Sequence, residues 1–214
     1  MDISQFSYWS GMVGITAFAV TAVLALATRG IDLFSAVVLG IITAVGGGTV
    51  RDLVLDVPVF WAADLNYIWI AMAASFIAFW ADPLLTRKEI HSLFLYLDGF
   101  GAALFAILTV GKVWDMGFGL PLAPIILGIV TAIGGGLIRD VLAGRPTLLM
   151  NRELYATPVM FGSMLYMVLL YLMPEHRFIC AISCGLFIFV IRAAAIHWHL
   201  SVPNWLMIKV KTER

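Results

Sequence analysis

The sequence predicts an all-α membrane protein of seven transmembrane helices, arranged as two inverted three-helix repeats plus a seventh helix. Three observations carry that prediction. Of the 214 residues 62% are hydrophobic and 12% are charged, with a mean hydropathy of +1.00, far from the balance of soluble globular chains. The apolar residues form long continuous runs rather than alternating ones, and lipid accepts only helices or closed barrels because every backbone polar group must pair internally. Finally, the stretch AVGGGTVRD, Ala44 to Asp52, returns 88 positions later as AIGGGLIRD, Ala132 to Asp140.

A bilayer core of about 30 Å needs roughly 20 mostly apolar residues per helix, and seven segments meet that need. The first covers about 8–27. It has no basic region before it and continues into a full span, so no cleavable signal peptide is expected. The second, about 33–55, carries the first glycine triplet, and the third, about 67–81, is short enough to extend back into the preceding loop. The fourth, about 92–113, contains YLDGFG, and the fifth, about 121–143, carries the second triplet. Spans at about 156–173 and 177–197 complete the set, and the loops between them are too short to hold a soluble domain. Residues 1–214 therefore read as one transmembrane unit, with repeat one at about 8–81 and repeat two at about 92–173. The loops DVPVF and GRPTL read as turns whose prolines mark the end of each broken helix.

Basic residues orient the chain. With the amino terminus outside, the cytoplasmic side receives Arg29, Arg87, Lys88, Arg145, Arg152, Lys209, Lys211 and Arg214, against Lys112 and Arg177 outside. That bias predicts the amino terminus outside and the carboxyl terminus in the cytoplasm. Arg51, Arg139 and Arg192 fall within spans. Zero formal net charge gives no reason to expect a nucleic-acid partner.

Offsetting the chain by 88 aligns Leu39–Asp52 with Leu127–Asp140, identical at ten of fourteen positions, and pairs Gly11 with Gly99, Pro58 with Pro146 and Tyr67 with Tyr155. This is an internal duplication. Each copy holds three spans, and an odd number sets the second copy upside down in the membrane. Inverted repeats of this kind gather interrupted helices around a permeation or binding site.

Glycine costs about 1 kcal/mol relative to alanine in a helix interior, so Gly46, Gly47 and Gly48, and again Gly134, Gly135 and Gly136, need a compensating purpose. Two are available. Absent side chains allow close helix packing, and a kink frees carbonyl oxygens, hard ligands suited to a partly dehydrated alkali cation. The triplets are read as kinks, with Thr43, Thr131 and Ser10 as polar pore candidates.

Arg51, Asp52, Arg139 and Asp140 lie in or near the apolar layer, where an ionised side chain costs about 3 kcal/mol on insertion scales and marks a functional candidate. Neighbouring residues on a helix do not face each other, so Arg51 is not expected to pair with Asp52. At about 1.5 Å per residue, some 20 Å of depth separates Arg51 from Arg139, which disfavours an exchange between Arg51 and Asp140. Asp98, in the fourth span, matches Arg139 in depth. Its duplicate is Ser10. The expectation is an asymmetric pathway: an Asp98–Arg139 pair toward the cytoplasm and a less neutralised Arg51 toward the outside, looking to Asp56, Asp64, water or headgroups.

The remaining candidates are structural. Arg192 is read as snorkelling to the cytoplasmic headgroups, and His197, Trp198 and His199 as an interfacial anchor. Trp61, Trp69, Trp80, Trp114 and Trp205 suit an aromatic belt. Cys180 and Cys184 share a helix face but lack further ligands, so they read as small hydrophobes. No catalytic signature such as a P-loop or HExxH appears, and neither an enzyme nor a cofactor is expected.

Seven spans, two inverted repeats and GGGxxRD in the second and fifth helices resemble the prokaryotic branch of the trimeric intracellular cation channels, over nearly the whole chain. Bacterial sequences of this type are also labelled glycine transporter domains. The resemblance implies a homotrimer in which each subunit has its own pore among the first, second, fourth and fifth helices, permeable to potassium and less selectively to sodium. It also implies that Arg51, Asp52, Arg139 and Asp140 line or brace that pore. The Lys-Glu-Val element of animal members does not occur here, so their lipid regulation is not carried over. The alternative is a secondary transporter for a small solute such as glycine, whose carboxylate and ammonium groups membrane-embedded Arg and Asp would suit.

Overall fold

The computed structural model describes residues 3–27, 30–84, 86–150 and 154–201. Arg29, Arg152, Trp205, Lys209, Lys211 and Arg214 lie outside the described residues. The long elements are all helices: α1 Ile3–Leu26, α2 Leu33–Val54, the single turn α3 Phe60–Ala63, α4 Asn66–Ala81, α5 Arg87–Asp115, α6 Leu122–Leu142, α7 Ala156–Leu172 and α8 Arg177–His197. Six of them are long and apolar enough to cross a membrane, α4 being counted with the 3-10 turn that continues it to Leu84; α7, at 17 residues, is apolar but shorter.

Two helices begin before their apolar runs do. α1 starts at Ile3 rather than near residue 8, and α5 at Arg87 rather than near 92. Apolar content marks the stretch that lipid can cover, whereas helix ends are fixed by who satisfies the first amides. At α5 the Thr86 side chain accepts from the Glu89 amide and Glu89 reaches back to the Thr86 amide, a capping box that extends the helix beyond its oily part.

α2 and α6 end alike. The amides of Leu55 and Ala143 donate to the carbonyls of Arg51 and its counterpart Arg139 respectively, and those of Val57 and Arg145 donate to the carbonyls of Asp52 and Asp140. Between them sit Asp56 at φ 53° and Gly144 at φ 57°, residues 88 apart in the left-handed conformation that closes a helix. Glycine adopts it freely; Asp56 is one of the polar residues that tolerate it.

The broken-helix expectation is corrected. Both helices run without interruption through Gly46–Gly48 and Gly134–Gly136, and the triplets serve the crossing of α2 over α6. A Cβ on Gly47 would strike the Thr131 carbonyl oxygen, and one on Gly135 would strike the Thr43 carbonyl oxygen. Only side chains reduced to hydrogen let two backbones meet so closely. Likewise, the prolines of the two loops follow ordinary helix ends.

α1 and α5 form the centre, with the Phe18 and Phe105 rings stacked at 5.6 Å. α4 flanks α1 and α2; α7 flanks α5 and α6; α8 packs on α5 and α7. Arg192 does not snorkel. It is buried, its Nη1 donates to the Leu154 carbonyl at 3.0 Å and its guanidinium lies over the Tyr155 ring; the two residues that lead into α7 hold it. His197, Trp198 and His199 are exposed at the end of α8, while the free thiols of Cys180 and Cys184 are buried.

Candidate functional site

The two GGGxxRD motifs end in matching constructions. In the first, Arg51 Nε donates to Asp52 Oδ1 at 2.8 Å, and Asp52 Oδ2 accepts from the Phe60 amide at 2.9 Å. In the second, Arg139 Nε donates to Asp140 Oδ1 at 2.9 Å, and Asp140 Oδ2 accepts from the Leu148 amide at 3.1 Å. Phe60 and Leu148 are themselves 88 apart. Each aspartate thus locks the arginine before it and the first turn of the element after it.

These pairs overturn the expectation that Arg51 and Asp52 stay apart. Adjacent Cβ vectors do diverge, but the long guanidinium arm folds back along the helix to a carboxylate already held by a backbone amide. Asp56 and Asp64 are not needed as its counterions.

Each arginine then crosses to the other half of the chain. Arg51 Nη1 lies 3.5 Å from Thr109 Oγ1 in α5, and Arg139 Nη1 donates to Thr21 Oγ1 in α1 at 2.9 Å. Thr21 and Thr109 are again 88 apart. Since Arg51 meets the end of α5, and Arg139 meets the end of α1 together with Asp98 early in α5, the two helices run antiparallel. The same contacts set α2 antiparallel to α6. The geometry also ranks the hydroxyls: Thr21→Val is expected to lower stability by about 1 kcal/mol more than Thr109→Val, since only Thr21 makes a short bond to a buried cation. Thermal melts of both variants in the same detergent check this.

Two residues break the symmetry, with opposite charges. Asp98, the counterpart of Ser10, accepts from Arg139 Nη1 at 2.6 Å, and both side chains are fully buried. This is the pair that depth matching anticipates. Lys112, the counterpart of Leu24, donates from Nζ to Asp52 Oδ1 at 2.7 Å. The cluster of Arg51, Lys112 and Asp52 on the face that holds the start of α1 therefore carries one net positive charge. The trio of Arg139, Asp98 and Asp140 on the opposite face carries one formal negative charge, with Arg145 and Arg192 nearby across the Phe94 and Tyr155 rings. Phe94 supports the latter, its ring 4.4 Å from the Arg139 guanidinium and 4.8 Å from that of Arg145. Tyr155 OH and Asp98 Oδ1 both lie against Gly136.

The N-terminal cluster opens onto a cavity of about 500 Å³, whose polar lining includes Ser7, Tyr8, Tyr67, Arg51, Lys112 and Arg177. Arg139, in contrast, is wholly buried. Thr43 and Thr131 are buried at the glycine crossing, and their hydroxyls make no hydrogen bond to protein among the described residues; neither does Asp98 Oδ2. Ser10 stands apart from the polar cavity and borders an apolar groove. The residues not anticipated from sequence are Thr21, Thr109, Lys112, Phe94 and the amides of Phe60 and Leu148. The offset of 88 points to the threonines and amides once it is applied to polar atoms.

A family model described as glycine transporter matches residues 8–83 and again 95–171, so the duplication is detected independently in both halves. An inner membrane protein of Escherichia coli, UPF0126 protein YadS, is 35% identical over 201 residues, covering 92% of this chain and 95% of its own. The crystal structure of a trimeric intracellular cation channel orthologue from Rhodobacter sphaeroides superposes with a TM-score of 0.86 at 30% identity, covering 91% of this chain and 99% of that one. A further structure, described as the structural basis for conductance through such channels, gives a TM-score of 0.80 at 29% identity over 94% and 97% of the two chains. The fold of this chain is therefore that of these channels.

Proposed function

The chain belongs to the prokaryotic family described both as glycine transporters and as trimeric intracellular cation channels, and from that premise we propose that it is a passive, potassium-permeable channel for monovalent cations. It works as a homotrimer, each subunit carrying its own pore among α1, α2, α5 and α6. Sodium passes less selectively. The trimeric description of the Rhodobacter protein supports the assembly. The antiparallel α1/α5 and α2/α6 pairs and the doubled family match support seven spans built as three plus three inverted, with α8 as the seventh. The basic-residue bias supports an amino terminus outside the inner membrane and a carboxyl terminus in the cytoplasm, as the naming of the E. coli relative supports the membrane itself.

One observation carries the reading: a formally negative trio, Asp98, Arg139 and Asp140, buried at the end of a membrane helix that crosses its counterpart backbone to backbone. Isolated charges at such depth are disfavoured, so an ion pair retained there has a use. Arg139 acts as a latch. While it holds Asp98, the inner half of the path is sealed by a tethered cation. When it swings away, carboxylate oxygens face the path beside the hydroxyls of Thr43 and Thr131, ligands of the hard oxygen type that replace part of an alkali ion's hydration. Arg51 and Arg139 are thus gates and countercharges rather than ion ligands.

The test is a planar-bilayer recording of purified protein under a potassium gradient, with labelled-glycine counterflow on the same preparation. Unitary currents reversing near the potassium equilibrium potential, without counterflow, are expected. The second reading, a glycine transporter, is favoured by the one-sided cavity edged by Arg51 and the Arg51–Asp52 pair. Saturable counterflow without currents would select it.

A further inference from the structure

We propose that the face holding the start of α1 carries a site for one anionic phospholipid per subunit, its acyl chain lying between α1, α5 and α8 and its phosphate meeting Lys112 and Arg177. A groove of about 200 Å³ runs along these three helices. Its walls are apolar, with Phe6, Phe100, Leu104, Ile182, Gly185 and Phe189 among them and Ser10 as the sole hydroxyl among the described residues. It is continuous with the cationic cavity: Phe6, Ile107, Leu108 and Ala181 border both.

The order of residues is the same along α5 and α8. α5 passes from Asp115 and Lys112 in the cavity through Leu108 to Leu104 and Phe100 in the groove. α8 passes from Arg177 through Ala181 to Gly185 and Phe189, while the start of α1 borders cavity and groove together, with Phe6 in both. Charge therefore stands at the membrane surface and hydrocarbon-like lining below it, over roughly 12 Å of helix. That gradient is the one an amphiphile has in its own leaflet.

The charge selects the headgroup. Lys112 bonds Asp52 and is 34% exposed, and its ammonium has three donors, so it can still meet a phosphate. Arg177 Nη2 pairs with the half-exposed Asp115 at 2.6 Å, while its Nε is buried without a hydrogen-bond partner among the described residues. A cationic or zwitterionic head gains less here than an anionic one. The site depends on the chain lying in a bilayer, not on whether it conducts ions.

Gly185 forms part of the groove floor, and a Cβ there would rest 3.7 Å from Ile107 Cγ1, an ordinary contact. Alanine is tolerated; leucine fills the groove. Native mass spectrometry of the full chain, titrated with dioleoyl phosphatidylglycerol and dioleoyl phosphatidylcholine, tests the proposal. The wild type should hold one phosphatidylglycerol per subunit about tenfold more tightly than phosphatidylcholine, in line with two basic contacts near a surface. Lys112→Gln with Arg177→Gln should abolish the preference. Gly185→Leu, or Ile182→Trp on the exposed wall if the leucine variant misfolds, should weaken both lipids, and Gly185→Ala neither. Equal binding of the two lipids by wild type overturns the proposal. So does soluble glycerophosphoglycerol competing as well as the lipid, which would leave only a phosphate site. A Gly185→Leu variant that loses subunits yet keeps its lipid also overturns it, because the groove would then be covered by a second copy.

Discussion

Gly135→Ala is expected to destabilise the protein by about 3 kcal/mol, the order of a forced overpacking against an unyielding neighbour, and to lower its melting temperature by roughly 10 °C. The sign is the informative part. In an exposed helix interior the same change would stabilise by about 1 kcal/mol, because alanine is the better helix former. Here the new methyl group meets the carbonyl oxygen of Thr43, a backbone atom that cannot rotate aside. Gly47→Ala meets the Thr131 carbonyl in the same way and should behave alike. Gly134 is the control: its Cβ would lie 3.4 Å from Gly47 Cα, at the edge of ordinary contact, so Gly134→Ala should be nearly neutral. Thermal unfolding in one detergent, with gel filtration to follow assembly, separates the outcomes. Stabilisation by all three changes would mean that the triplets are local weaknesses rather than a crossing point.

Much of this architecture is legible in the sequence because the bilayer imposes simple rules. Long apolar runs in lipid are helices, so the helix positions follow closely from Leu, Ile, Val and Phe alone. The Asp98–Arg139 pair is also legible, since both charges need a partner at one depth. What sequence cannot supply is the direction a long side chain takes. Arg51 and Asp52 point apart at Cβ and meet at their tips, and nothing in their order says so. Gly46–Gly48 is ambiguous for another reason: the same composition serves a break, a kink or a close crossing, and the neighbouring backbone of Thr131 is what shows the crossing. Lys112 and Arg192 were open to misreading because an apolar run with a basic residue near its end suits either a headgroup contact or a buried partner. The residues that lead into α7 decide the case of Arg192, and Asp52 that of Lys112.

Asp98→Asn is expected to have the largest effect on cation flux of any single carboxylate change, with a loss of about tenfold or more, while Ser10→Ala leaves flux unchanged. The two positions correspond through the repeat, yet their surroundings differ. Asp98 is fully buried against Arg139, whereas Ser10 borders the apolar groove. Removing the charge leaves Arg139 with Asp140 alone and takes the trio from a formal charge of minus one to zero. A buried pair broken on one side costs about 3 kcal/mol, so flux must be normalised to folded protein. A purely structural tie and a carboxylate that draws cations then diverge. If Asp98 only ties helices, Arg139→Gln in the Asp98→Asn background restores stability and flux together, because amide can bond amide. If its charge draws cations, stability recovers and flux does not, and Asp98→Glu retains more flux than the asparagine variant despite fitting less well. Equal losses from Asp98→Asn and Ser10→Ala would remove the asymmetry on which the gating assignment rests, leaving two equivalent halves and an alternating mechanism as the better account of them.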